Sequence, residues 1–315
     1  MNYSSVRTVL GVPIHFSCES RSIHSIISQI FPLEHKEVVS ANYQISINHS
    51  LVDSKSLDFP ALFELNEHKL VGQSGNNCFK ADRLNNIGEA FVCQRMLNNE
   101  YVLRHQVLNT LCYFLLTHHH FLPVHAASFR LNQLLVLCIG SSGAGKSTLA
   151  MAAKHRNLVV LAEDICFVGV SKSVGLRADC REFHLFPDSY RLFNNDINAQ
   201  AVMTHNGKLK HIIANDSKQF STGKANGSAS ELIVVFINSD RSQKSAKFEP
   251  ISTNSYFNDL LYPKEEGFEL FSNARLPAVQ WLKKSPCFSA NIAGDFNQFF
   301  DSIEKVHDEL ICVTQ

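Results

Sequence analysis

The spacing of hydrophobic and polar residues changes along the chain and divides it into two parts. In residues 1–95, the apolar run VRTVLGVPIHF and the alternating NYQISINHS predict short strands, whereas SIHSIISQIF has the spacing of a helix. Clusters of Gly and Asn such as QSGNN predict turns between strands. We therefore predict a small α+β domain over residues 1–95, which carries no chemical motif and would be a substrate-selecting or accessory domain.

The second part begins with a helical spacing from Leu97 onward. The wide apolar face of this helix comprises Val102, Leu103, Val107, Leu108, Leu111, Cys112, Leu115 and Leu116. We place the domain boundary between residues 95 and 96, so that the helix opens a second domain over residues 96–315.

Strand and helix patterns alternate through the second domain. PVHAASFRLNQLLVLCIG predicts two strands, Lys146 to His155 a helix, and NLVVLAED a strand covered on both faces. ELIVVFIN predicts another strand, and helical patterns follow near residues 266–284 and 295–311. The polar stretch over about residues 203–230 lacks periodicity and predicts a mobile loop or lid. This order is typical of a layered α/β domain.

Composition narrows the class of partner. The 29 basic residues balance 29 acidic ones, which argues against nucleic acid or an anionic membrane surface as the main partner. The nine cysteines form no C-x-x-C pair, and several lie in apolar segments, as expected in a reducing compartment. No segment has the layout of a signal peptide or the length of a membrane span. We therefore expect a soluble cytoplasmic protein.

The candidate chemistry begins with the glycine-rich stretch GSSGAGKST, which follows an apolar strand and opens a helix. In that context the backbone N–H groups and the helix N-terminus face phosphates, so the chain is predicted to bind a nucleoside triphosphate. Lys146 would reach the β- and γ-phosphates, and the hydroxyl of Ser147 would bind Mg²⁺. The residues predicted to hold the nucleotide are Gly140, Ser141, Ser142, Gly143, Ala144, Gly145, Lys146, Ser147 and Thr148.

Two acidic residues, Glu163 and Asp164, end the strand that follows the glycine-rich helix. A carboxylate at the carboxyl end of such a strand points toward bound phosphates, where Mg²⁺ or a hydroxyl substrate would need it. The pair comes only 17 to 18 residues after Lys146, which leaves no room for the switch regions of a signalling GTPase. The spacing favours a small-substrate or protein kinase, and the alternative is a solvated pair of acids.

A histidine is predicted beside the glycine-rich loop. If HAASF and LLVLCIG form a hairpin that turns near Asn132, His125 lies opposite Ile139 and directly beside Gly140. There the imidazole could donate to a phosphoryl oxygen or contact the nucleophile. A satisfied structural histidine is the alternative.

Other candidates carry less information. Arg181 and Arg191, which flank EFHLFPDSY, could clamp phosphate, and Lys208 and Lys210 lie in the predicted lid. The run at residues 118–120 is better explained by favourable contact with a helix C-terminus than by metal binding.

PVHAASF, GSSGAGKST and LAED, in this order and spacing, resemble the catalytic domain of the HPr kinase/phosphorylase-like proteins. The resemblance covers about residues 120–295 and implies a P-loop kinase domain of the type shared with the ATP-dependent phosphoenolpyruvate carboxykinases. It also implies ATP and Mg²⁺ as cofactors, a homo-oligomer, His125 at the γ-phosphate, and an acid pair that binds metal and activates the attacking hydroxyl.

The chain departs from the family in two ways. Glu163 stands where the family has Asp, and the arginine- and glycine-rich signature downstream is absent. We therefore predict a diverged kinase that phosphorylates a serine-type hydroxyl of a small protein or peptide, with Lys146, His125, Glu163 and Asp164 as catalytic residues and Ser147, Glu163 and Asp164 as metal ligands. The division of metal and base roles between the two acids stays open. The alternatives are a kinase for a free amino acid or sugar, and a nucleotide-binding regulatory module without phosphotransfer.

Overall fold

The computed structural model of the chain divides into two compact units, Met1–His120 with Met203–Leu209, and Phe121–Val202 with Lys210–Gln315. It describes residues 2–31, 40–58, 61–117, 121–169, 175–193, 198–204, 207–215, 232–238, 247–251, 254–261, 272–292 and 296–314. Strands and helices alternate in both units, as expected of a mixed α/β protein.

The first unit is built on one seven-stranded sheet. Its strands are β1 (Tyr3–Val9), β2 (Val12–Cys18), β3 (Tyr43–His49), β4 (Leu62–Leu65), β5 (Lys69–Ser74), β6 (Asn77–Asp82) and β7 (Ile87–Val92). Their spatial order is β1-β2-β3-β7-β6-β5-β4, and β3 runs parallel to both of its neighbours. The helices are α1 (Arg21–Ile30), α2 (Gln94–Leu97), α3 (Glu100–Val102), a π-helical turn (Leu103–Leu108) and α4 (Asn109–Thr117). The predicted strands and helix of residues 1–95 are confirmed where they are described.

The units divide 25 residues later than the predicted domain boundary at 95/96, because the helices that follow residue 96 pack on the sheet of the first unit. Leu111 and Leu115 of α4 are fully buried, and a Cβ added to Gly88 of β7 would lie 3.6 Å from each of them. The apolar face predicted for this helix is buried throughout. The spacing therefore identified the buried face correctly, but it carried no information about which sheet would cover it.

Arg83 stabilises the C-terminal end of α4. Its side chain is buried, with Nε donating to the carbonyl oxygen of Phe114 at 2.7 Å and Nη1 donating to that of Glu67 at 2.7 Å. The last carbonyl groups of a helix have no intrahelical partner, so a buried guanidinium here satisfies one of them and complements the negative end of the helix dipole. Burial lowers the pKa of Arg83 to about 10, which still leaves it charged at neutral pH.

Replacing Arg83 with Met should lower the free energy of unfolding by about 2–4 kcal/mol, because buried carbonyl oxygens lose their donor. The measurement is urea unfolding followed by circular dichroism. Arg95→Met is the matched control, since Arg95 is exposed, and it should change stability by less than about 0.5 kcal/mol. Equal effects of the two substitutions would contradict the role assigned to Arg83.

The second unit contains a larger sheet with helices on both faces. The sheet comprises β8 (Phe121–Leu131), β9 (Leu134–Ile139), β10 (Val159–Ala162), β11 (Ile165–Gly169), β12 (Leu176–Arg177), β16 (Leu232–Asn238), β17 (Lys247–Pro250) and β18 (Cys287–Asn291). Their order is β12-β11-β8-β9-β16-β18-β17, and β10 also pairs with β8. The helices are α5 (Lys146–His155), α6 (Pro187–Arg191), a 3-10 turn (Asn254–Phe257), α7 (Asn258–Leu261), α8 (Ser272–Leu282) and α9 (Phe296–Thr314).

Alternate residues of the central strands belong to two hydrophobic cores, one on each face of the sheet. In β8, Phe129 joins the core that contains residues of α5 and α9, whereas Val124 joins the core that contains residues of α7 and α8. Strands covered on both faces are typical of layered α/β domains. Both faces of LVVL are covered as predicted, since Val160 lies in the first core and Leu161 in the second.

The hairpin of β8 and β9 differs from the prediction by one position. Leu131 pairs with Leu134, so the turn consists of two residues, and Asn132 has the positive φ of 55° that such turns need. Ala126, and not His125, therefore pairs with Ile139. The predicted pairing of His125 with Ile139 is wrong because the turn is centred between residues 132 and 133, and not on Asn132. His125 consequently lies one position nearer to Gly140.

The strand that ends in the two acids does not lie beside β9 in a parallel sheet. Both β10 and β11 pair with β8 in antiparallel fashion, and the chain bends between them at Glu163 and Asp164. Because β8 is antiparallel to β9 as well, β9 and β10 run in the same direction on either side of β8. Their C-terminal ends therefore lie at the same end of the sheet. The predicted proximity of the acids to the loop thus arises through an intervening antiparallel strand.

Part of the predicted lid is regular structure. β15 (Leu209–Ala214) pairs antiparallel with β13 (Glu182–Leu185) in a three-stranded sheet that also contains β14 (Gln200–Met203). The prediction of a loop is wrong for residues 209–214, because hydrogen bonding to β13 organises a stretch whose side chains lack clear alternation. Residues 216–230 of the predicted lid lie outside the described part of the chain.

The cysteines whose side chains are described are free thiols, and most of them are buried. Burial raises the pKa of the Cys166 thiol to about 12, so this group behaves as a small hydrophobic side chain. Within the described ranges, no helix combines the length and the apolar run that crossing a bilayer requires.

Candidate functional site

The glycine-rich loop connects the end of β9 to the start of α5. Gly143 and Gly145 adopt positive φ angles of 82° and 97°, conformations that residues with a Cβ rarely adopt. Gly140 is required for a different reason, because a Cβ there would lie 2.9 Å from the carbonyl oxygen of Ile237. The three glycines therefore allow the backbone to turn tightly and to bring the N-terminus of α5 to the end of β9.

Lys146 folds over this loop. Its Nζ donates to the carbonyl oxygens of Gly140 at 2.8 Å and Ser141 at 3.0 Å, and the residue is only 6% exposed. The ammonium group thus lies at the mouth of the loop. Thr148, in the first turn of α5, donates from its hydroxyl to Oγ of Ser189 at 3.0 Å.

His125 and Asp164 form a pair at the end of the sheet where the glycine-rich loop begins. Nδ1 of His125 lies 3.0 Å from the backbone oxygen of Asp164 and 3.1 Å from its Oδ1. Both oxygens are acceptors, so Nδ1 carries the proton, and Nε2 faces away from Asp164. The backbone N–H of Ala126 also donates to the Asp164 carbonyl at 2.9 Å, which fixes the position of the pair.

The charges around this pair reinforce one another. The hydrogen bond that His125 donates to the Asp164 side chain raises the pKa of His125 above its ordinary value, although burial and the charge of Lys146 act in the opposite direction. For Asp164, burial opposes ionisation, but the hydrogen bond and charge of His125, together with Lys210 and Lys146, hold its pKa well below the usual range. Asp164 is therefore an ionised carboxylate within a group of cations.

Glu163 has a different set of partners. Its Oε1 lies 2.6 Å from Nδ1 of His184, whose Nε2 lies 3.0 Å from Oε1 of Glu182. The Glu163 side chain is 6% exposed, whereas that of Asp164 is 46% exposed. Burial alone would lower the pKa of His184, but hydrogen bonds to the two glutamates raise it to about 9. The imidazolium neutralises charge that would otherwise be costly to bury.

The structure brings together several of the residues predicted from the sequence and separates others from them. Lys146, His125 and Asp164 interact electrostatically. Lys210, predicted as part of a lid, also interacts with Asp164, and its charge helps to lower the pKa of that carboxyl group. Ser147 lies in the first turn of α5.

The two arginine candidates have local partners. Arg181 pairs with Asp179 at 2.7 Å, and Arg191 pairs across an exposed turn with Asp188 at 3.6 Å. Lys208 is exposed, and the turn that contains it is held by hydrogen bonds with Thr204. The three histidines at residues 118–120 lie outside the described residues.

Glu182 and His184 belong to no motif in the sequence, and they were not predicted as site residues. The alternation in EFHL provides a signal, because residues two apart in a strand share one face, and here the buried Phe183 and Leu185 alternate with the two polar residues. What the pattern could not provide was the contact with Glu163, which lies 21 residues earlier in the chain.

The acidic residues fit a magnesium ion in their chemistry. Mg²⁺ prefers hard oxygen ligands from carboxylates, hydroxyls and phosphates. Oε2 of Glu163 is buried and has no hydrogen-bond partner within the described part of the chain, and a bound cation would satisfy it. Asp164 contributes an ionised carboxylate next in sequence, and Ser147 contributes a hydroxyl at the start of α5.

A cavity of about 550 Å³ adjoins the loop. His125, Gly140 and Ser141 form the part of its wall that belongs to the candidate site. The remaining wall comes from the start of β8, the end of β16, the 3-10 turn with α7, and Arg275 of α8. Its volume lies in the range of small-molecule sites.

No protein-family model matches the chain, and no curated protein is significantly similar to it. The resemblance to HPr-kinase-like proteins therefore stays a prediction from the motifs.

The pair formed by His184 predicts a pH-dependent stability. Because the folded-state pKa of His184 is about 9 and its ordinary value is 6.5, the protonated imidazole stabilises the fold fully below pH 6.5. This contribution is lost as the pH rises through 9, and it is on the order of 3 kcal/mol. We expect wild type to be more stable than His184→Gln at pH 6.5, and the difference to shrink by about pH 10.

The measurement is urea unfolding at both pH values, without nucleotide and with a chelator to remove divalent metal. Ser128→Ala is a suitable control for a buried substitution in the same unit, because a hydroxyl does not titrate in this range. A stability difference that is the same at both pH values would show that the His184 charge does not contribute.

Proposed function

We propose that the chain is an ATP-dependent kinase that transfers the γ-phosphoryl group to a serine-type hydroxyl of a small protein or peptide. The second unit would then be a P-loop kinase domain of the HPr kinase and phosphoenolpyruvate carboxykinase type. The observation that carries the proposal is the meeting of Lys146, His125 and Asp164 at the mouth of a glycine-rich loop that opens a helix.

The loop and helix supply the phosphate site. Backbone N–H groups at the start of α5, with the positive end of the helix dipole, favour an anionic ligand. Lys146 now donates to two loop carbonyls, and these weak neutral acceptors would be exchanged for phosphate oxygens when nucleotide binds. Lys146 would thus need little movement to contact the terminal phosphates.

His125 would stabilise charge on the transferred group. Its Nδ1 is engaged by Asp164, so Nε2 is the nitrogen that could donate to a γ-phosphoryl oxygen. The raised pKa favours the protonated ring, which is the form that stabilises an anion. Phosphoryl transfer depends on such charge neutralisation more than on covalent chemistry by the protein.

The different surroundings of the two acids suggest a division of their roles. Asp164 is half exposed beside His125, and we assign it to the acceptor hydroxyl, which it would orient and whose proton it would accept. Glu163 is buried against His184, with one oxygen left for a cation, and we assign it to metal binding with Ser147. When bound, Mg²⁺ would neutralise charge on the terminal phosphates.

The reaction balances without a further reagent. The acceptor oxygen forms a bond to the γ-phosphorus of ATP, and the bond from that phosphorus to the β–γ bridging oxygen breaks. ADP leaves with the electron pair of the broken bond. The hydroxyl proton passes to Asp164 and from there to water.

Lys146→Ala should weaken ATP binding about 10- to 100-fold, because a charged hydrogen-bond donor to phosphate is lost. The measurement is displacement of a fluorescent ATP analogue at constant Mg²⁺. Lys154→Ala is the matched control, since Lys154 lies on the same helix and donates to the carbonyl oxygen of Ala214 at 2.9 Å. If both variants bind ATP as wild type does, the phosphate site is placed wrongly.

Asp164→Asn should keep ATP affinity within about twofold while phosphoryl transfer falls by about 10²- to 10⁴-fold, because the amide cannot accept the hydroxyl proton. Transfer is measured with γ-labelled ATP and peptides encoded beside the gene for this chain, with Lys146→Ala as the background. An equal loss of binding and transfer would make Asp164 a nucleotide or metal ligand instead. Nucleotide binding without transfer to any acceptor would favour a regulatory module over a kinase.

A further inference from the structure

We propose that the cavity beside His125 is the acceptor site and that it takes a hydroxyl carried next to an apolar or aromatic group of about one residue. This inference rests on the proposed kinase function and names the class of substrate for the same site. It concerns the part of the cavity wall that lies away from the glycine-rich loop, to which no role has been assigned above.

The position of the cavity indicates the acceptor rather than the nucleobase. It opens at His125, Gly140 and Ser141, the end of the loop where Lys146 lies over the carbonyl oxygens. Lysine in such loops contacts the β- and γ-phosphates, whereas the backbone at the helix start holds the α- and β-phosphates. The cavity therefore begins where the transferable phosphoryl group would lie.

The walls of the cavity define the chemistry of the ligand. Leu122 and Val124 of β8, Phe236 of β16, and Tyr256 and Leu260 near α7 form a largely apolar surface. Such a surface binds an apolar body and excludes water, which would otherwise compete with the acceptor for the phosphoryl group. Hydroxyl groups of a ligand that faced these apolar side chains would be left unsatisfied.

Polar groups occur at several places in the wall, including Arg275, whose Nη1 donates to the carbonyl oxygen of Leu260 at 2.8 Å. His125 lies beside the loop, where it contacts Asp164, the residue assigned to the acceptor hydroxyl. Asn238, Ser255 and Asp259 also belong to the wall, and they could contact the backbone amides of a peptide. The hydroxyl would thus lie at the loop, where its oxygen attacks the γ-phosphorus of ATP and ADP is displaced. The volume of about 550 Å³ accommodates a dipeptide.

The test compares two blocked dipeptides, N-acetyl-Phe-Ser-amide and N-acetyl-Gly-Ser-amide, by ligand-detected NMR binding in the presence of Mg²⁺ and a non-hydrolysable ATP analogue. Wild type should bind the phenylalanine probe at least about 10-fold more tightly, because only this probe buries an aromatic ring. Leu260→Phe should weaken binding of that probe by about 10-fold, since the larger side chain fills the cavity.

Leu261→Phe is the matched control, because Leu261 belongs to the same helix and is half-buried but does not line the cavity. It should bind the phenylalanine probe as wild type does, and both variants should keep nucleotide affinity within about twofold. No preference for the phenylalanine probe, or an equal effect of the two variants, would overturn the proposal. Loss of nucleotide affinity in Leu260→Phe alone would assign the cavity to the nucleobase. Failure of the kinase proposal is seen separately, as the absence of transfer from γ-labelled ATP by wild type above the Lys146→Ala background.

Discussion

The antiparallel pairing of β8 on both of its edges is the constraint on which the candidate site depends. Ala126 pairs with Ile139 of β9 on one edge, and its N–H donates to the carbonyl of Asp164 on the other at 2.9 Å. His125 is consequently level with the start of the glycine-rich loop and with the bend between β10 and β11. A slip in either register would separate the imidazole from Gly140 or from Asp164, because strand register fixes which side chains meet.

Each of the two neighbouring acids is paired with its own histidine, and the two pairs lie in different dielectric surroundings. Asp164 and His125 remain partly exposed, so the carboxylate can meet a ligand. Glu163 and His184 are buried, and removing one partner there would leave an uncompensated charge. Two adjacent residues of one bend thus differ in their exposure and in their partners. This difference is the physical basis for assigning them different roles in the proposed reaction.

The sequence predicts the features that depend on local chemistry. The glycines, the helix from Lys146 to His155, the buried faces of the strands and the acid pair all follow from spacing within short segments. The predicted register of the hairpin was wrong by one residue, because apolar spacing does not reveal whether a turn is centred on Asn132 or after it. The contact of Glu163 with His184, and the packing of α4 on the first sheet, require long-range pairing that no local pattern encodes.

Strand β8 also connects the glycine-rich loop to the cavity. Leu122, Val124 and His125 all line the cavity, while Phe129 further along the strand packs in the core that contains residues of α5. One rigid strand therefore fixes the imidazole relative to both the helix that would bind phosphate and the apolar wall that would bind the acceptor. A reacting pair must be held within a few tenths of an ångström for efficient transfer, and elements of a sheet maintain such distances better than loops do. Under the proposed function, the choice of acceptor would thus depend on the apolar wall of the cavity, and the phosphoryl chemistry on the residues at the loop.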